Sequence, residues 1–119
     1  MTLTLELALP TRKLSPNGRV KWQEKSRLVK KYRTAAKLAF MAAYRTDYRP
    51  RFKKAYVQFT WYSKTAAHPD SDNALASLKA GIDGLTDAGL FEDDSGLTYP
   101  PVIFAKDATR PRVFVSVTV

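Results

Sequence analysis

The chain has no cysteine and a single histidine, His68. Without thiols there are no disulfides and no thiolate metal sites, and one imidazole supports neither a histidine-rich metal centre nor Ser-His catalysis. The lack of cysteine fits a reducing compartment, so a cytoplasmic setting is expected. No apolar run approaches the roughly 20 residues of a membrane span. The opening "TLTLELALP" contains Glu6 and follows no basic leader, so it does not read as a signal peptide. Acids are few as well: 11 Asp and Glu against 20 Lys and Arg leave a net charge of +9. Such a balance favours a surface that meets phosphate, while a solvated basic face is the plainer alternative.

What is present suits one domain over residues 1–119, since 45% of the 119 residues are apolar. Residues 2–9 alternate, with Leu3, Leu5, Leu7 and Leu9 on one side, which predicts a half-buried strand. "PTRKLSPNG" follows with the residues of a loop. From about Lys21 to Tyr44, Trp22, Val29, Tyr32, Ala36, Phe40 and Ala43 recur at helical spacing amid lysines and arginines, which predicts a long amphipathic helix. "AYVQFTWYS" and "RVFVSVTV" alternate as strands, and "LTYPPVIFA", broken by Pro100 and Pro101, suits an edge strand. Trp22 and Trp61 read as core residues and His68 as solvent-facing. The expected fold is mixed α+β, about four strands with two helices on one face of the sheet.

The charge is unevenly distributed. Residues 12–54 carry +13, whereas residues 66–96 carry −6 through Asp70, Asp72, Asp83, Asp87, Glu92, Asp93 and Asp94 against Lys79 alone. A polyanion drawn to the first region is repelled by the second unless a cation intervenes. Magnesium does this, because it takes a few carboxylates together with phosphate oxygens and water. The competing reading is that these aspartates cap helices and fill turns. If a helix begins near Asp72, Leu75, Leu78, Ile82 and Leu85 form its packed stripe. At roughly 100° per residue, Asp72, Lys79 and Asp83 then fall within about 40° of one another as a separate polar stripe. Lys79 is thus either an i to i+4 partner of Asp83 or an ammonium placed beside a phosphate. Asp87 reads as surface.

The ordered set Asp70-x-Asp72-Asn73, Lys79, Asp83-Gly84-Leu85, Ala88-Gly89 and Asp93-Asp94 resembles the RusA family of Holliday-junction-resolving endodeoxyribonucleases. "PNGRVKW" ahead of a basic helix resembles the family's N-terminal portion. The resemblance implies a homodimer that uses magnesium, with manganese as a substitute, to make paired incisions in a four-way DNA junction. By position it implies Asp70, Asp72 and Asp94 as metal-binding carboxylates and Lys79 as the catalytic lysine. Asn73, Asp83 and Asp93 fall at supporting motif positions. The interval from Asn73 to Lys79 is three residues longer than in the best-known member, which moves the lysine about 4.5 Å along a helix axis. Arg19, Lys21, Lys25, Arg27, Lys30, Lys31 and Arg33 are the expected phosphate contacts. Alternatives are a non-catalytic nucleic-acid-binding module and a nuclease preferring flaps or forks.

Overall fold

The computed structural model describes residues 2–16, 18–45 and 49–119; Asn17 of the predicted loop and Asp47 of the charge tally lie outside the described residues. The elements follow the predicted order: β1 (Thr2–Leu7), α1 (Trp22–Ala43), β2 (Ala55–Ser63), α2 (Ser71–Asp87), β3 (Leu97–Thr98), β4 (Ile103–Lys106) and β5 (Arg112–Thr118). Two short 3₁₀ turns, Arg12–Leu14 and Asp94–Gly96, complete them. The result is a mixed α+β domain with one five-stranded sheet.

β5 lies between β1 and β2 and is antiparallel to both, while β3 and β4 run parallel to β2 on its other side. The predicted edge strand is therefore two strands, because Pro100 and Pro101 supply no backbone N–H donor and split the segment that pairs with β2. A parallel neighbour requires a crossover, and α2 is that crossover: it carries the chain from the end of β2 back to the start of β3.

Alternation places the core. Leu3, Leu5 and Leu7 of β1, Val57, Phe59 and Trp61 of β2, and Val113, Val115 and Val117 of β5 are all buried on one sheet face. Tyr32, Ala36 and Phe40 of α1 join the same core with Ala74, Leu78, Ile82 and Leu85 of α2, so both helices cover that face. The helices also press closely on each other. A Cβ placed on Gly84 would stand 2.1 Å from the Arg33 carbonyl oxygen, so only glycine permits this separation.

Trp22 departs from expectation. It is the first residue of α1 and 76% exposed, because the helix begins there, nearly three turns before Tyr32, the first of its residues buried in the core. Trp61, by contrast, is in the core. Among the described residues no helix is long and apolar enough to cross a membrane.

Candidate functional site

The acidic stretch is organised around α2. Asp70 is its N-cap, and the Asp70 Oδ1 accepts from the Asn73 backbone N–H at 2.8 Å. Asn73 Nδ2 donates to the second carboxylate oxygen at 3.2 Å, so both Asp70 oxygens are engaged by one residue. The capping reading therefore holds at Asp70, where it saves a helix-end N–H from going unpaired. Asp72 stands in the first turn and is exposed, with no hydrogen bond or ion pair among the described residues.

Two turns further on, Lys79 lies on the exposed stripe expected from periodicity. Its Nζ donates to Asp83 Oδ1 at 3.2 Å and also to Asp94 Oδ2. The first contact is the i to i+4 pair; the second joins the helix to a residue fifteen positions away. The hydrogen bond to Asp94, opposed by partial desolvation and reinforced by Asp83, holds the lysine pKa above its ordinary 10.5. Tyr99 is half-buried beside this group; burial raises its phenol pKa, with smaller influences from Lys79, Asp94 and Asp83.

Asp94 reaches Lys79 because its turn is fixed from three sides. Phe52 and Phe91 form a parallel bridge, with Phe52 N–H donating to the Leu90 carbonyl at 2.8 Å and Glu92 N–H to the Phe52 carbonyl at 3.0 Å. Asp93 caps the turn by accepting from the Ser95 N–H at 2.6 Å and from the Ser95 hydroxyl, contacts that hold its carboxyl pKa below the ordinary 3.8. Gly96 then passes so near the residues leading into β2 that a Cβ would lie 2.0 Å from the Lys53 carbonyl oxygen.

The remaining predicted residues divide. Arg33 donates to Asp87 through Nε and Nη2 at 2.5 and 2.8 Å, a bidentate bridge between the two helices. Asp87 is thus more than bare surface, and Arg33 is already committed to a carboxylate. Lys30, Lys31 and Arg27 are exposed on α1 along a shallow outer groove with Leu38. Arg19 and Lys21 are exposed just ahead of the helix, and Lys25 is half-buried. His68 is exposed, but its ring lies flat on Phe104, with centroids 3.9 Å apart and planes 9° from parallel. This stacked pair was not expected, since 36 residues separate its members in the chain.

Asp70, Asp72 and Asp94 are hard oxygen donors of the kind magnesium takes, usually one or two carboxylates completed by phosphate oxygens and water. Among the described residues, however, no three acidic or imidazole side chains converge closely enough to enclose a cation by themselves. The donors suit the metal in kind without forming a preassembled cage, and the Lys79 ammonium is the cation that Asp94 meets.

No family model matches the chain. Among curated proteins, one from Xylella fastidiosa described as uncharacterized is 33% identical over 116 residues, spanning 97% of this chain and 75% of that protein.

Proposed function

We propose that this chain, which belongs to one family with the Xylella fastidiosa protein, is a metal-dependent, structure-selective endodeoxyribonuclease acting on four-way DNA junctions. The observation that carries the proposal is the junction of Lys79 with Asp94, two motif residues of the RusA-like pattern that separate elements bring into contact. Asp72 and Asp83 share the exposed face of the same helix.

Asp70, Asp72 and Asp94 would hold magnesium, or manganese in its place; when bound, the ion supplies activation of water and neutralisation of charge at phosphorus. The chain's own residues do the rest. Lys79, a persistent ammonium, donates to a phosphoryl or leaving oxygen as negative charge develops there. Asp83 and Asp94 fix where that ammonium sits, and Asn73 and Asp93 hold the ends of the two segments. Arg19, Lys21, Lys25, Arg27, Lys30 and Lys31 attract the phosphates through charge that carries no sequence preference. Pairing of two such subunits about a twofold axis would address the two opposed strands of a junction.

A non-catalytic DNA-binding module is favoured by one observation: the carboxylates of Asp70 and Asp93 are occupied as caps. A labelled four-way junction incubated with magnesium separates the readings. Nicking by the wild type and its loss in Asp72→Asn are expected. A wild type that binds the junction and never nicks it refutes the nuclease, and equal rates on junction, fork and linear duplex refute structure selectivity.

A further inference from the structure

A cavity of about 740 Å³ opens between the segment around residues 9–19, the end of β2 with the loop after it, and the first turns of α2. Its wall includes Asn73 and Ser77, which lie roughly 100° and 140° around the helix from Asp72, so the cavity is separate from the Lys79 and Asp94 cluster. The two share one neighbour, because Asn73 also holds the Asp70 carboxylate.

The lining has a consistent chemistry. It contains Arg12, Lys13, Arg19 and Lys64 and no acidic residue. Lys13 pairs with Glu24 at 2.6 Å, whereas Arg12, Arg19 and Lys64 have no ion pair among the described residues. Four cations in one concave site, three of them free, suit a phosphate. Two aromatic rings also line it, Trp61, which is buried, and His68, which is exposed. His68 is braced: one face rests on Phe104, and Nδ1 lies 2.7 Å from the Pro69 carbonyl oxygen, which can only accept, so that nitrogen donates. A ring held flat in this way is a stacking platform. Ser63, the last residue of β2, also lines the cavity; it is 7% exposed, and its hydroxyl has no hydrogen-bond partner among the described residues. A buried hydroxyl without a partner costs stability unless something else supplies one.

From this combination we infer that the cavity takes one unstacked nucleotide, its phosphate against Arg12, Arg19 and Lys64 and its base against His68 and toward Ser63. The volume falls within the range of small-molecule sites, and the polar groups converge from three chain segments. The shared chemistry is a base joined to a phosphate, whether carried by a DNA strand or free. The site rests on its own geometry, and it deepens the nuclease reading by placing a nucleotide of the bound strand beside the start of α2.

The test uses the full chain in EDTA with Trp22→Phe, which leaves Trp61 as the sole tryptophan. A 5′-phosphorylated dinucleotide should quench Trp61 emission saturably, and inorganic phosphate at equal ionic strength should not. Ala67→Phe, which fills the cavity from its exposed rim, and the double variant Arg12→Ala with Lys64→Ala should each weaken binding by about tenfold or more. Ser63→Ala should weaken binding while leaving the melting temperature equal or higher, an outcome that a purely structural serine would not give. Quenching by phosphate alone, or unchanged binding in a folded Ala67→Phe protein, overturns the inference. Binding of a free mononucleotide as tight as that of a single-stranded oligonucleotide assigns the site to free nucleotides; tighter binding of the strand assigns it to DNA. Dinucleotide binding by a protein that never nicks keeps the cavity and removes the nuclease, and nicking without dinucleotide binding does the reverse.

Discussion

Replacing Lys79 with glutamine should move metal affinity and catalysis in opposite directions. The ammonium neutralises Asp83 and Asp94 together, and any divalent ion that recruits Asp94 must displace it or share that carboxylate with it. The side chain is 53% exposed, so each ion pair carries only the worth of a surface pair, about 0.2–1 kcal/mol. The pair with Asp83 persists when a metal takes Asp94, so only the Asp94 pair competes, and its removal strengthens divalent binding by about 0.2–1 kcal/mol, or roughly 1.4- to fivefold. Nicking should fall nevertheless, because the donor to the phosphoryl group is gone. Calorimetric titration with manganese supplies the first quantity and a junction assay at saturating metal the second. Affinity that falls together with activity would show that Lys79 organises the acids instead of competing for them, and would refute this reasoning. The pH dependence adds a second check. Because the folded pKa is raised above 10.5, the stabilising charge is fully present below that value and is lost only as pH rises through the higher folded value. Any rise in nicking between pH 7 and 9 must then come from another group and should persist in Lys79→Arg.

Gly84→Ala would force a Cβ against the Arg33 carbonyl; overpacking of this kind costs about 1–3 kcal/mol. At roughly 2.1 cal/mol/K per residue of unfolding entropy, calorimetry should show melting lower by about 4–12 °C. Lys30→Ala or Lys31→Ala should each reduce the salt slope of DNA binding by about one, and Arg33→Ala by less, since its guanidinium is already paired with Asp87. Asp107 has its pKa lowered to about 2 by the Thr109 hydroxyl, the Arg112 guanidinium and the Arg110 N–H. Its stabilisation is present above about pH 4 and disappears as pH falls toward 2, so acid titrations followed by circular dichroism should show a shallower loss for Asp107→Asn. Trp22→Ala should leave the melting temperature nearly unchanged, because the ring is 76% exposed.

The strands and helices were legible because each buries one face, and a period of two or of 3.6 is all that burial requires. β2 spans the whole of "AYVQFTWYS", and α2 begins one residue before the predicted Asp72. What escaped depends on contacts across the chain. Arg33 and Asp87 are 54 positions apart, and no local pattern predicts that two exposed charges will meet. The cavity draws on three distant segments, and only Ser63, a hydroxyl on the inward face of an apolar strand, hinted at it. Contact between Lys79 and Asp94 was not expected: the resemblance only set the two residues in one motif, and periodicity stops where α2 ends.

The structure also reduces the contradiction of an acidic stretch in a basic protein. Asp83 and Asp94 share Lys79, Asp87 holds Arg33, and Asp70 and Asp93 cap turns of the backbone. Of the seven acids, Asp72 and Glu92 have side chains with no such partner among the described residues. Only Asp72 lies on the α2 face with Lys79, seven residues or about 10.5 Å along the axis from it. Its sole structural benefit is a negative charge in the first turn of a helix, about 0.3–1 kcal/mol at an exposed position. Substitution at Asp70 or Asp94 removes a cap or an ion pair as well as a carboxylate, so lost activity there mixes two causes. Asp72→Asn removes almost nothing but charge. A melting temperature within about 4 °C of wild type, alongside lost nicking, therefore assigns the loss to chemistry at this carboxylate.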